Sequence, residues 1–351
     1  MLTRHKGCYV LYVGKLGNGE LAIDRVKIQT PVEFERFGKM ALSLLPKSVA
    51  DLGAEAARRY MSFFVDHIRN RNTREAYFRS ANRFLEWCEL KRLALREVQS
   101  FHVSAYVEEL GQSLAIASVK QNLAALRMLF DWLMIRQVCS RNPCHAVRGP
   151  RLKITTGKTP VLDEAEAKLL LNSISGTDLT SLRDRALIGL MIYSFARVSA
   201  ALSMDVRDYV CRGQRRMWIQ LKEKGGRQHA MPCHHKLEEY LDAYLQAAGI
   251  NDQMNSPLFR SAKGRTGVLT ENRLRRGNAY EAIRRRARQA GIAMEICPHT
   301  FRATGITNYL TNSGSLEIAQ QMAAHADSRT TKLYDRRHEQ LSLDEIEKIT
   351  I

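Results

Sequence analysis

Six side chains in this sequence are of types that do chemistry together. Tyr334 stands in AAHADSRTTKLYDRR, residues 323–337, among Arg329, Lys332, Arg336 and Arg337. A core tyrosine has apolar neighbours at helical spacing, whereas this one has cations on both sides. A free phenol has a pKa of about 10, so a nucleophilic tyrosine needs positive surroundings. His325 lies nine residues upstream. His299 and Arg302 form His-x-x-Arg in PHTFRATG, 298–305, and a helix would place both on one face, with Pro298 a suitable first residue. Arg197 sits in YSFARVSAALSM, where a helix with apolar neighbours obliges it to find an anion. Lys224 falls at the tip of a hairpin read from LKEKGGRQHAMP, 221–232.

Each feature has a plain structural reading. His-x-x-Arg can be a capping histidine beside a surface arginine. Arg197 can belong to a structural ion pair, and a hairpin-tip lysine is usually solvated. The charge of the chain narrows the choice. Its 54 Lys and Arg outweigh 36 Asp and Glu, for a net +18 over 351 residues. Such an excess points to a polyanionic partner, nucleic acid first and an anionic membrane surface second. The stretch 260–288 carries ten basic residues against Glu271 and Glu281, while a solvated helix face interleaves both signs.

The elements that must hold these side chains are mostly helical. Residues 8–28 read as two short strands about a Gly-Asn-Gly turn, with helical material over 31–45, so 1–49 forms an accessory segment. Residues 50–145 read as a bundle of about four helices, near 52–68, 72–90, 101–110 and 118–134. Tyr77, Ala81, Phe84 and Cys88 make one apolar stripe, and Val119, Leu123, Leu126, Phe130 and Leu133 another. Asn72 with Glu75 resembles a capping box. The Pro- and Gly-rich basic stretch 146–160 reads as a linker. Residues 161–351 combine helices with the strands MWIQL and RQHAMP. Helices are expected over 234–247, 271–289, 299–312 and 315–323, around Tyr334, and over a last capped segment from Ser342. The fold class is thus mainly α with a small antiparallel sheet.

Several classes are disfavoured. No apolar run reaches the roughly 20 residues of a membrane span. The N-terminus lacks the marks of a signal peptide, so a cytoplasmic protein is expected. Seven scattered cysteines form no C-x-x-C pair and read as reduced. Neither a phosphate-binding loop nor a group of metal-binding carboxylates is visible, and no cofactor or metal is expected.

In combination, Arg197, Lys224, His299, Arg302, His325 and Tyr334 resemble the tyrosine recombinases, the integrase family of phages, plasmids and mobile elements. The order and spacings agree: 27 residues from Arg197 to Lys224, 23 from Arg302 to His325, nine from His325 to Tyr334. LRDRALIGLMIYSFARVSAAL is similar to the first arginine box, KEKGGRQHAMP to the lysine hairpin and PHTFRATGITNYL to the second box. The resemblance covers about 55–351. It implies a SAM-like, helical core-binding domain followed by the catalytic domain, and a final helix that packs on a neighbouring subunit. Two positions depart from the family. A Gly commonly stands two residues before the first arginine and a Glu three after it; here they are Phe195 and Ala200.

The resemblance further implies transesterification of a DNA phosphodiester. Tyr334 attacks phosphorus and a 3′-phosphotyrosyl bond stores the cleaved linkage, so ATP is not needed. Arg197 and Arg302 clamp the non-bridging oxygens in fork geometry. His299 and His325 add donors and a proton acceptor, and Lys224 protonates the leaving 5′ oxygen. Preorganised donors of this kind are worth roughly 3–4 kcal/mol each in rate. The expected partner is double-stranded DNA, clamped by the two domains. Arg74, Arg79, Lys120 and Arg127 of the bundle, Arg151 and Lys153 of the linker, and Arg273, Arg276 and Arg284 are the candidate contacts. The expected assembly is a monomer in solution and a homo-tetramer on two recombination sites, in a bacterial cytoplasm and on the nucleoid when bound. Accessory DNA-bending or directionality proteins are compatible partners. The competing activities are DNA relaxation of the type IB topoisomerase kind and non-catalytic DNA binding.

Overall fold

The computed structural model describes residues 9–15, 21–27, 45–51, 53–151, 159–213, 216–223, 226–264, 266–325 and 327–335. The expected Gly-Asn-Gly turn, the helix over 31–45, Lys153, Lys224, Arg336, Arg337 and the last helix from Ser342 lie outside these residues. The chain divides into two compact units, Met1–Lys153 and Ile154–Ile351.

In the first unit, strands β1 (Tyr9–Lys15) and β2 (Leu21–Lys27) pair antiparallel, with Tyr9 opposite Lys27 and Lys15 opposite Leu21. Five helices follow: α1 (Lys47–Ala50), α2 (Gly53–His67), α3 (Arg71–Leu90), α4 (Ser100–Ser113) and α5 (Ile116–Ile135). The stripe expected on α5 is real: Val119, Leu123, Leu126, Phe130 and Leu133 are all buried. They meet an aromatic ladder in which Phe64 stands edge-on to Phe78 (5.2 Å) and Phe84 edge-on to Phe130 (5.9 Å). Edge-to-face contact sets ring hydrogens against the negative face of the next ring, which fixes the helix spacing. The start of α3 differs from expectation. Asn70, not Asn72, caps it, accepting a hydrogen bond from the Thr73 amide at 3.1 Å. Glu75 pairs with Arg71 instead of closing a box.

The second unit opens with α6 (Glu164–Ser173), α7 (Leu179–Tyr193) and α8 (Val198–Ser203). A three-stranded antiparallel sheet of β3 (Tyr209–Arg212), β4 (Arg216–Lys222) and β5 (Gln228–Pro232) follows, in that order. Ile219 lies opposite both Tyr209 and Met231 and is fully buried, so the sheet presents one face to the core. Strand β3 was not legible in the sequence. Helix α9 (His235–Ala248) then covers α7. A second pair, β6 (Arg260–Ala262) and β7 (Leu269–Arg273), occupies part of what reads as helix over 271–289; α10 begins only at Arg276 and runs to Gln289. Helix α11 (Pro298–Thr311), α12 (Leu316–Met322) and the short α13 (Ser328–Lys332) complete the described unit.

Two features place the later site. Gly305 lets α11 approach the end of α7: a Cβ there would stand 2.1 Å from the Ile192 carbonyl oxygen and 2.8 Å from the Phe195 ring. Arg273, Arg285 and Arg286 of the basic stretch 260–288 are paired from elsewhere. Buried Asp184 on α7 holds Arg183, Arg285 and Arg286, and Asp205 holds Arg273. The six described cysteines are free thiols. Among the described residues no helix is long and apolar enough to cross a membrane, and no group of three or more His, Cys, Asp or Glu is arranged to hold a metal ion.

Candidate active site

Sequence places Arg197 inside a helix; the structure places it in a break between two. Helix α7 ends at Tyr193, Ser194 closes it, and Phe195 adopts φ +55°, a left-handed conformation that glycine prefers. The chain turns there, and Arg197 becomes the extended residue before α8. Its guanidinium is hydrogen-bonded through NH1 to the carboxylate of Glu223, whose side chain is 3% exposed against 30% for Arg197.

The same turn positions the second arginine. Arg302, three residues along α11 from His299, is wholly buried. It donates to the Phe195 carbonyl and, at 2.5 Å, to the Ala323 carbonyl after α12. Its Nε is buried with no hydrogen-bond partner among the described residues. Burial first, and then Arg197, bring its pKa down to about 10, which leaves it a cation at neutral pH.

Tyr334 lies in the turn after α13. Its amide donates to Thr331 O and its carbonyl accepts from Thr307 Oγ1 at 3.1 Å. The side chain points inward, 7% exposed, among Phe195, Ala303, Ile306, Leu310 and Ala323. The hydroxyl is 2.9 Å from His299 Nε2, and the rings meet edge to face. The His325 ring stacks on Tyr334 at 6.0 Å with an 8° interplanar angle, and its Nδ1 is 2.8 Å from Thr331 Oγ1. Arg197, His299, Arg302, His325 and Tyr334 therefore belong to one cluster, to which sequence reasoning did not add Glu223.

The electrostatics correct one expectation. Arg329 and Lys332, the cations beside Tyr334 in sequence, are exposed. Among the described residues, the cations that act on the phenol are Arg302 and Arg197. They pull its pKa down, but burial pushes harder and leaves it above the ordinary tyrosine value. Burial and the same two arginines hold His299 below the usual histidine range and bring His325 to about 3. Both imidazoles are thus neutral at pH 7, and neutral His299 can accept a proton.

The basic residues expected to face nucleic acid fall into two groups. Arg74 is buried and donates to Ile68 O; Arg127 donates to Cys144 O and Val147 O; Arg273 donates to Leu202 O and Met204 O. These three are engaged within their own units. Arg79, Lys120, Arg151 and Arg276 are exposed, as is Arg284, 3.9 Å from Glu295.

The sequence matches the phage integrase family over residues 160–340 and the N-terminal SAM-like domain of phage integrases over 51–139. The chain belongs to the phage integrase family, and its class is that of the tyrosine site-specific recombinases. It is 27% identical to the tyrosine recombinase XerC of Ralstonia pickettii, covering 82% of this chain and 92% of that one. With the tyrosine recombinase XerD of Corynebacterium glutamicum it shares 26%, over 75% of this chain and 86% of the relative. Its fold is similar to that of XerH site-specific recombinase bound to palindromic difH substrate in a post-cleavage complex. The TM-score is 0.66 at 18% identity, over 90% of this chain and 94% of that one. A lambda integrase (75–356) dimer bound to a COC′ core site gives 0.62 at 16%, over 81% and 95%.

Proposed function

We propose that this recombinase cuts and rejoins double-stranded DNA through a 3′-phosphotyrosyl intermediate on Tyr334, in the integration, excision or resolution of a mobile element or replicon. The observation that carries the reading is the 2.9 Å contact between the Tyr334 hydroxyl and His299 Nε2, beside two arginines. In this reading the bond from Tyr334 Oη to phosphorus forms as the bond from phosphorus to the 5′ oxygen breaks. The phenol proton passes to His299, and the 5′ oxygen takes a proton from Lys224. Arg197 offers fork-shaped donors to the non-bridging oxygens, while Arg302, whose two Nη groups already bond the Phe195 and Ala323 carbonyls, adds its charge and its unpartnered Nε. A bound phosphate also adds the anion that Arg302, Arg197 and the phenol have to share. His325 packs on the phenol ring and keeps it oriented.

DNA complexes among the structural neighbours support a duplex as the substrate. Assembly follows the resemblance: a monomer in solution and a homo-tetramer on two sites. The test is incubation with a nicked suicide duplex, from which the cleaved fragment cannot be religated. The expected result is a covalent protein–DNA adduct that Tyr334→Phe abolishes. Adduct formation by Tyr334→Phe at the wild-type rate overturns the assignment.

A further inference from the structure

Glu223 stands out because an anion is the wrong charge beside a phosphate site. It directly follows β4, where side chains alternate between the two faces of the sheet. Ile219 and Leu221 point into the core and Lys222 points out, so Glu223 points in. Burying a carboxylate costs several kcal/mol unless it is paired. Its partner is Arg197, and the asymmetry of the pair is informative: the acid is nearly sealed while the guanidinium keeps about a third of its surface open. Nη1 of the guanidinium is held by the carboxylate, and the side chain is 30% exposed, so solvent reaches the rest of it.

The backbone of the same residue ties the end of β4 to the residues that lead into β5. The Glu223 amide donates to Arg227 O at 2.8 Å, and the Glu223 carbonyl accepts from the Gly226 amide at 3.1 Å. Helix α8 packs on β4, so the hairpin and the break at Arg197 are neighbours within one unit. Position 200 on α8, where the resembling family commonly has an acid, holds buried Ala200. The charges acting with Glu223 are Arg197 and Arg302, with His229 of β5 also within its field.

We infer that Glu223 is a positioning residue of the recombination reaction: its carboxylate fixes the plane of Arg197 and ties it to the end of β4. This rests on the reading of Arg197 as a phosphate ligand. Glu223 sets the geometry of the clamp and moderates the summed positive field at Tyr334 and His299, without touching the reacting atoms.

The experiment compares wild type, Glu223→Gln and Glu223→Asp by rate of adduct formation on the suicide duplex across pH, each repeated with Arg197→Ala. Gln keeps the size of the side chain and loses only the charge. Loss of one oriented charged hydrogen bond slows cleavage about 10- to 100-fold while duplex binding changes little. The alkaline limb of the pH profile moves to lower pH in Glu223→Gln, because an unopposed pair of arginines favours the phenolate. Glu223→Asp retains the wild-type profile and most of the rate. In the Arg197→Ala background Glu223→Gln has little further effect, since the interaction is already broken. A wild-type rate and profile in Glu223→Gln overturns the inference, as does an effect of equal size in both backgrounds. Absence of any adduct from wild type instead overturns the proposed function.

Discussion

The hydroxyl of Tyr334 and Nε2 of His299 are 2.9 Å apart. The two residues come from different parts of the chain, the turn after α13 and the first turn of α11. Thr307 on α11 binds the Tyr334 carbonyl, so the helix that carries the acceptor also anchors the backbone of the donor. Tyr334→Phe is expected to abolish the covalent adduct while leaving duplex affinity in a gel-shift assay unchanged. Losing one hydroxyl hydrogen bond should cost stability only about 1 kcal/mol, read from denaturant unfolding. Retained binding separates a lost nucleophile from a lost fold.

His299 is held below the ordinary histidine value by burial and by two arginines, so it is neutral at pH 7. A neutral imidazole accepts the phenol proton; a protonated one cannot. Adduct formation should therefore be insensitive to pH just below neutrality and fall only under the ordinary value of 6.5. His299→Gln, which removes the acceptor, is expected to slow cleavage by roughly 10²- to 10⁴-fold, the usual worth of a positioned base. An unshifted acid limb in His299→Gln would assign that limb to another group.

His325 gives a stability prediction. Its folded pKa is about 3 against an ordinary 6.5, so between these values the unfolded chain binds a proton that the folded chain refuses. More protons on the unfolded state means that stability rises with pH in that window, and acidification from 6.5 towards 3 is destabilising. His325→Asn removes the titration. The melting temperature of the variant should fall less steeply than that of wild type between pH 6.5 and 4.

Phe195 holds a left-handed conformation that a bulky residue adopts at a cost, and it is buried in the cluster around Tyr334. Deleting its ring should cost about 3–5 kcal/mol by denaturant unfolding. The backbone inverts the usual ranking of the small residues. Phe195→Gly should be no less stable than Phe195→Ala, and about 1 kcal/mol better, because glycine accepts φ +55° without strain. The opposite order would mean that this turn has relaxed in the variants.

How much of this was legible follows from what each signal depends on. The stripe on α5 was readable because helical period and burial are local properties, and so was the β4–β5 hairpin. The family's order of residues marked Tyr334, His299 and Arg302. Three things were not readable, each because it depends on tertiary partners. Asp184 lies 101 residues before Arg285, so the stretch 260–288 by itself does not reveal the counter-ion of Arg285 and Arg286. Arg329 and Lys332, close to Tyr334 in sequence, are exposed, while Arg302 and Arg197, distant in sequence, act on its phenol. Glu223 lies between two lysines in sequence, which masks an inward-facing acid; alternation from Ile219 and Leu221 is the signal that turns it inward.

The division of the basic residues into exposed and engaged groups yields a last prediction. An arginine whose donors are taken by carbonyls has few left for phosphate, and its loss leaves those acceptors unpaired in the fold. Arg127→Ala and Arg273→Ala should therefore lower stability by about 1–3 kcal/mol, measured by denaturant unfolding. Arg79, Lys120 and Arg276 are exposed, so alanine at any of them should leave unfolding within about 0.5 kcal/mol of wild type. If these residues meet the DNA backbone, each alanine also lowers by about one the slope of log K for duplex binding against log salt. Fluorescence anisotropy over a salt series measures that slope. An unchanged slope at Arg79, Lys120 and Arg276 alike would move the phosphate contacts to other residues, while a changed slope at Arg127 would mean that it exchanges carbonyls for phosphate on binding.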